Sequence, residues 1–179
     1  MEYGPTGPGF GPRREATDLK RSMLVLGAVV FAATTILDWV TKILSEEHLA
    51  VAPIHLVPGW ASLRLAYNRG VAFSALEGIP HWMLGAGAIV LLGFVVWGLR
   101  AIATRPVGMV ALALVVAGGL NNAIDRLLDG QVTDMISVWR WPVFNVADTA
   151  ITIGVALLFF ATRKEKAPAA AAEPGQEAA

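Results

Sequence analysis

The chain contains no cysteine among its 179 residues, which excludes disulfides, thiolate nucleophiles and cysteine-ligated metals. Charged residues are scarce at 16%, and the net charge is zero, so nothing predicts nucleic-acid binding. The three histidines, His48, His55 and His81, lack metal-ligand spacing. Ser74 and Ser137 lack the context of an activated nucleophile, and no glycine-rich phosphate loop is present. Carboxylates are therefore the main groups left for catalysis, and we expect neither a metal nor an organic cofactor.

Apolar residues are abundant instead, at 55% of the chain with a mean hydropathy of +0.58. They are concentrated in four stretches, each close to the roughly 20 residues that a membrane-spanning helix needs. The sequence therefore predicts an all-α membrane protein with four transmembrane helices. The predicted spans are about 23–40, 82–99, 107–128 and 144–162.

The basic residues orient these spans. Nine of the fourteen lysines and arginines fall before the first span, between the second and third, or after the fourth. The positive-inside rule makes that side cytoplasmic, so both termini are expected to be cytoplasmic. Residues 1–19 and 164–179 are predicted to be disordered tails around a membrane domain over 20–163. A cleavable signal peptide is the alternative for the first span, but the apolar run continues into DWVTK without a clear cleavage site.

The segment from Leu56 to Phe73 has a different pattern. Apolar and polar residues alternate in ASLRLAYN, and a Pro58-Gly59 pair precedes them. Period-two alternation after a turn signal predicts short strands, which we expect to lie at the membrane surface. Such a segment is suited to act as a flap over a nearby site.

Two polar groups in the first half of the chain each have two interpretations. Asp38 and Lys42 lie four residues apart on one helix face, as either a simple ion pair or support for a functional site. The Asn68-Arg69-Gly70 sequence fits a surface turn. Alternatively, Arg69 binds a substrate carbonyl or a lipid headgroup.

Asn122, Asp125 and Arg126 form a polar stripe at the end of the third span. We interpret them as interhelical hydrogen-bonding groups, with an ion pair between Asp125 and Arg126.

Asp134 and Asp148 carry the strongest functional signal. They lie at the adjoining ends of two apolar segments, and Asn145 precedes Asp148 by three residues on the same helix face. A carboxylate at a helix N-terminus is stabilised by the helix dipole, which explains Asp148 alone but not its convergence with Asp134. Ionisable groups are costly near a bilayer, so we interpret the two as the catalytic pair of a membrane peptidase.

Two rival classes use the same acids differently. A transporter or proton channel would place them near the bilayer midplane, often in repeated halves, whereas these acids cluster at one interface and no repeat is visible. A non-enzymatic scaffold leaves the acids unexplained.

Five motifs occur in order over residues 20–163: DWVTK, YNRGVAFS, AGGLNNAIDRL, VTDMIS and FNVADTAITIG. With them the chain resembles the lipoprotein signal peptidase (signal peptidase II) family, aspartic peptidases of the bacterial inner membrane. Two departures are visible. Trp39 replaces the usual glutamine, and Asn121 occupies a glycine position, which bears on packing near the third span.

The resemblance implies a four-helix bundle with a small extracytoplasmic β-cradle and an active site near the outer face of the inner membrane. It implies a substrate that is a diacylglyceryl-modified prolipoprotein, cleaved just before the lipidated cysteine. Membrane lipids are the other expected partners, no nucleic acid is expected, and the protein is expected to be monomeric. Asp134 and Asp148 match the catalytic pair. The expected binding or supporting residues are Asp38, Lys42, Asn68, Arg69, Gly70, Ala72, Phe73, Asn122, Asp125, Arg126, Asn145 and Ala147.

Overall fold

A computed structural model describes residues 12–69, Gly93 and residues 105–162 of the chain. Besides Gly93, which is helical, these ranges contain three helices and three strands. In chain order they are α1 (Pro12–His48), β1 (Ile54–Val57), β2 (Ala61–Asn68), α2 (Pro106–Leu128), β3 (Val132–Val138) and α3 (Val146–Thr162). Apart from Gly93, the predicted span at 82–99 lies outside the described residues.

The described helices coincide with the other three predicted spans. The stretch Ala16–His48 of α1 and the whole of α2 are long and apolar enough to cross a membrane, and Val146–Phe160 in α3 is a shorter apolar helix. The observed α1 is longer than the predicted span. It begins at Pro12, so residues 12–19, which we expected to be disordered, are helical. Proline fits the first turn of a helix because its missing N–H has no partner there.

Small residues let the three helices approach closely. A Cβ atom added at Gly118 of α2 would collide with the backbone oxygen of Ala147 in α3. One added at Gly154 of α3 would lie 2.8 Å from the carbonyl oxygen of Ala111 in α2. Membrane helices use such residues because close van der Waals packing replaces the hydrophobic effect between them. The contact between Gly118 and Ala147 brings the start of α3 against the second half of α2.

The three strands form an antiparallel sheet in the order β1-β2-β3. The predicted turn is present between β1 and β2, where Gly59 has a φ of +73° that glycine adopts at little cost. The strands predicted within Leu56–Phe73 are confirmed as far as Asn68. β3 was not predicted as a strand. It connects α2 to α3, so the sheet lies beside the ends of the helices.

Candidate active site

The fold brings Asp134 and Asp148 to one place through a shared asparagine. Asp134 lies in β3, while Asp148 lies in the first turn of α3. The Asn145 side chain donates from Nδ2 to Asp134 Oδ1 at 2.7 Å. Its Oδ1 accepts from the backbone N–H of Asp148 at 2.8 Å. Asn145 is therefore both the N-cap of α3 and the bridge between the two aspartates.

A second asparagine, Asn122 of α2, orients Asp148. Its Nδ2 donates to Asp148 Oδ1 at 2.8 Å. Its Oδ1 accepts from Asn145 Nδ2 at 3.1 Å and from Lys42 Nζ at 3.3 Å. Because the amide nitrogen contacts a carboxylate and the oxygen contacts only donors, the orientation of the Asn122 amide is defined. The two amides form one frame around the carboxylates.

Lys42 lies behind this frame and contacts two other aspartates. Its Nζ lies 2.6 Å from Asp38 Oδ2 and 2.6 Å from Asp125 Oδ2. The pair predicted between Asp38 and Lys42 is thus present and buried. The sequence analysis paired Asp125 with Arg126, whereas the structure places Lys42 Nζ against Asp125 Oδ2. Arg126 donates from Nη1 to the carbonyl oxygen of Asn122 at 3.1 Å.

Asp38 also fixes the start of α3. Its Oδ1 accepts from the backbone N–H of Ala147 at 2.8 Å, across the helix interface. The first N–H groups of a helix lack intrahelical partners, and a carboxylate there is further stabilised by the helix dipole. Ala147 is completely buried against Gly118. Its small side chain therefore lets α1, α2 and α3 meet next to Asp148.

The environment of Asp134 disfavours its charged form. The residue is 2% exposed, and the pKa of its carboxyl is raised from 3.8 to about 6, chiefly because burial disfavours the charged form. The nearby charge of Asp148 also contributes to this rise, while hydrogen bonds from Asn68 and Asn145 and the charge of Lys42 oppose it. Asp134 can therefore exchange a proton near neutral pH.

The remaining predicted residues divide into two sets. Asn68, at the end of β2, hydrogen-bonds Asp134, and Arg69 donates from Nε to Gln131 Oε1 at 3.1 Å on the exposed surface. Gly70, Ala72 and Phe73 lie outside the described residues.

Two contacts near the site were not foreseen from the sequence. The Thr133 hydroxyl donates to Glu46 Oε1 at 2.6 Å, joining β3 to the end of α1. The Thr133 carbonyl accepts from Asn145 Nδ2 at 3.4 Å. For Glu46, the spacing in the sequence offered a clue. It follows Lys42 by four residues and therefore lies on the same helix face.

Metal binding has no support in the described part of the chain. No group of three or more histidine, aspartate or glutamate side chains converges there as a metal site requires. The described side chains offer acid–base chemistry by a carboxylate pair, of which Asp134 is buried and Asp148 half-buried, next to amide donors and a shared ammonium group. Fold and site together define a helical membrane protein with a buried acidic centre at the ends of its helices.

Comparison with known proteins places the chain in a family. Residues 30–163 match the family model described as signal peptidase (SPase) II. The chain is 41% identical over 133 residues to a lipoprotein signal peptidase from Paraburkholderia phymatum, covering 69% of this chain and 78% of the relative. It is 34% identical over 140 residues to a lipoprotein signal peptidase from Symbiobacterium thermophilum, covering 75% and 92%. The chain belongs to the signal peptidase II family, which confirms the resemblance in its motifs.

Solved structures agree with this assignment. One described as a bacterial membrane enzyme superposes with a TM-score of 0.68 at 29% identity, covering 78% of this chain and 93% of that chain. A second with the same description gives a TM-score of 0.67 at 29% identity, covering 75% and 85%. The protein is thus a peptidase of the hydrolase class with the fold of a membrane enzyme.

Proposed function

We propose that the chain is an aspartic endopeptidase that removes the signal peptide from diacylglyceryl-modified prolipoproteins, cutting just before the lipidated cysteine. The main structural support for this proposal is the frame formed by the side-chain amides of Asn145 and Asn122. Asn145 and Asn122 hold Asp134 and Asp148 together without giving either a cation at hydrogen-bond distance among the described residues. Carboxylates with a purely structural role would be neutralised by a lysine or arginine at hydrogen-bond distance. Two carboxylates without such a direct contact can share a proton.

The mechanism follows from that shared proton. Two carboxylates held close together cannot both ionise without repulsion, so one remains protonated. The ionised group removes a proton from a water molecule, which attacks the scissile carbonyl carbon. The protonated group donates to the carbonyl oxygen as the tetrahedral intermediate forms. The proton belongs to the pair as a unit, so either aspartate can start in the protonated form.

The surrounding polar residues are assigned supporting roles. Asn145 and Asn122 orient the two carboxylates, and Asp38 fixes the start of the helix that carries Asp148 through the N–H of Ala147. Lys42 holds Asp38 and Asp125 together, and Arg126 supports the backbone of Asn122. Asn68 supports Asp134, and Arg69 is available to bind the substrate backbone or a lipid headgroup. Gly70, Ala72 and Phe73 are proposed to continue this surface on sequence grounds.

Topology and location complete the proposal. The proposed topology has four spans, with both termini in the cytoplasm and the catalytic pair near the outer face of the inner membrane, in keeping with the distribution of lysine and arginine. That position supplies water for hydrolysis and lets an acylated substrate enter from the bilayer. The strands form the extracytoplasmic cradle, and the protein acts as a monomer.

The test uses purified full-length protein and two forms of one prolipoprotein, with and without the diacylglyceryl group. We expect cleavage before the modified cysteine in the first form and little in the second, with Asp134→Asn abolishing the reaction. Equal cleavage of both forms would exclude lipid recognition. Full activity of the Asp134→Asn variant would exclude the aspartic mechanism.

A further inference from the structure

The outer end of the sheet exposes three tryptophans together. The exposed fractions are 57% for Trp60, 68% for Trp139 and 66% for Trp141. Trp60 precedes β2 and Trp139 follows β3, and the Trp139 N–H donates to the Trp60 carbonyl oxygen. We call these three residues the tryptophan tip. Exposed indole rings grouped in this way are costly in water and indicate a contact surface.

The backbone at the tip maintains this exposure. Trp139 has a φ of +44°, a left-handed conformation that is unfavourable for a bulky side chain. The guanidinium of the next residue, Arg140, lies 5.5 Å from the centre of the Trp139 ring. A cation over the face of an indole ring is attracted to it. The tip therefore presents an aromatic surface and a positive charge together.

The surface charge of the sheet favours an anionic partner. Arg64 is exposed on β2 beside Ser137 of β3, and Arg140 is exposed at the tip. Residues 54–68 and 132–144 contain one acid, Asp134, and it is buried. An exposed patch of tryptophan and arginine without exposed carboxylates matches the phosphate and glycerol layer of a bilayer, where such side chains are enriched.

The position of the sheet along α1 places the tip at that layer. A cavity of about 300 Å³ is lined by Thr41, Leu44 and His48 of α1 and by Leu63 and Ile136 of the sheet. Thr41 to His48 covers about 10 Å of helix, so the middle of the sheet lies beside the last two turns of α1, not above them.

The same helix marks where the hydrocarbon layer ends. Exposed apolar side chains continue along α1 to Leu44 and are followed by the charged residues Glu46 and Glu47. Leu63 pairs with Ile136, and the tip begins three residues further along, at Trp60 and Trp139, just beyond the Ala61 and Val138 pair. Three residues of strand cover at most about 10 Å along the membrane normal, and less where the strand is inclined, which is close to the roughly 5 to 7 Å of one headgroup layer. The tip thus stays within reach of the headgroups.

We propose that the tryptophan tip is inserted into the headgroup layer of the leaflet at the His48 end of α1, with anionic phospholipid as its partner. The rings lie at the level of the glycerol backbone, and Arg64 and Arg140 contact lipid phosphates. β3, which carries Asp134, would then be anchored near both ends, by Asn145 next to the catalytic pair and by lipid at the tip. This proposal needs the membrane location of the protein and not its peptidase mechanism.

The absence of cysteine makes a site-specific test direct. Full-length Trp60→Cys and Trp141→Cys variants are nitroxide-labelled one at a time and placed in nanodiscs of phosphatidylcholine and phosphatidylglycerol. Collision rates with oxygen and with a water-soluble nickel complex then report the depth of each label. Ile36→Cys, exposed on the apolar part of α1, is the lipid standard, and Asp129→Cys, exposed at the end of α2, is the water standard.

We expect the labels at positions 60 and 141 to give an oxygen-to-nickel ratio several times that of position 129, and below that of position 36. A ratio equal to that of position 129 would overturn the proposal by placing the tip in water. Low collision rates with both reagents would overturn it as well, because protein and not lipid would then cover the tip. Thermal unfolding of each labelled variant near the parent temperature shows that the fold is retained.

Discussion

Two pairs of aspartates lie at the meeting point of the helices, and they differ in what neutralises them. Asp38 and Asp125 share the ammonium group of Lys42, with both contacts at 2.6 Å. Asp134 and Asp148 receive amide hydrogens from Asn145 and Asn122. An ammonium group stabilises negative charge, whereas a neutral amide orients a carboxylate and leaves much of the cost of its charge. The same residue type thus supports the structure in one pair and is available for acid–base chemistry in the other.

The largest expected effect is a loss of activity when Asp134 or Asp148 is changed. Asp134→Asn or Asp148→Asn should each lower kcat by about 10³-fold or more, because both carboxylates are needed to share one proton. The double variant should lose little more than either single variant. The measurement is cleavage of lipid-modified prolipoprotein, with Asp129→Asn, an exposed carboxylate at the end of α2, as the matched control. Substantial turnover by one of the single variants would contradict the pair as the catalytic unit.

The second prediction concerns the stability that Lys42 provides by pairing with Asp38 and Asp125. Lys42→Met should lower the free energy of unfolding by about 3 kcal/mol or more, because it leaves two carboxylates without their shared cation. Thermal unfolding in detergent is the measurement. Neutralising all three residues together, as Asp38→Asn, Lys42→Met and Asp125→Asn, should recover a large part of that loss.

Neutralising Asp134 and Asp148 should change the free energy of unfolding in the opposite direction. The Asp134→Asn and Asp148→Asn double variant should be at least as stable as the parent at neutral pH, because it removes two carboxyls held without a direct cation. If Lys42→Met unfolds at the parent temperature, the ammonium group of Lys42 does not stabilise Asp38 and Asp125. The two pairs of aspartates would then not differ in the way described.

From the sequence, the convergence of Asp134, Asp148 and Asn145 was easier to predict than the partners of the other acids. These three residues stood out because polar residues at the ends of apolar segments are costly and therefore informative. Asp125 was expected to pair with its neighbour Arg126, whereas the structure places Lys42 against it. Adjacent residues on a helix point about 100° apart, so a cation on another helix was geometrically better placed. Which helices lie side by side is a tertiary property that a single sequence does not display.

The strand β3 was missed for a related reason. Its first four residues, Val132, Thr133, Asp134 and Met135, are all buried, so no alternation of apolar and polar residues marks it. β2 was predicted because its residues do alternate after a turn signal. All five motif segments that carry the family resemblance contribute residues to the described site, so the sequence marked the members of this site more clearly than the local structure around them.

The third prediction concerns pH. The pKa of Asp134 is 3.8 in its ordinary state and about 6 in the folded protein. A raised pKa means that the folded state binds the proton more tightly, so this residue stabilises the fold at acid pH. That contribution, at most about 3 kcal/mol, is lost as pH rises from about 4 through 6.

Comparing the thermal unfolding of parent and Asp134→Asn between pH 4 and 7 measures this contribution. The parent should lose stability relative to the variant as pH increases, with the difference levelling off above about pH 7. Parallel curves for the two proteins would show that burial does not favour the protonated form of Asp134.

The smallest expected effect tests how β3 positions Asp134. Thr133→Val keeps the shape of the side chain and removes the hydroxyl that donates to Glu46, so stability should fall by about 1 kcal/mol. Because the Thr133 carbonyl also accepts from Asn145, we expect kcat to fall several-fold while KM changes little. Glu46→Gln, which retains an acceptor oxygen, should stay near the parent, and Glu46→Ala should resemble Thr133→Val. Combining Glu46→Ala with Thr133→Val should add almost nothing, and additive losses would mean that the two residues act independently of their hydrogen bond.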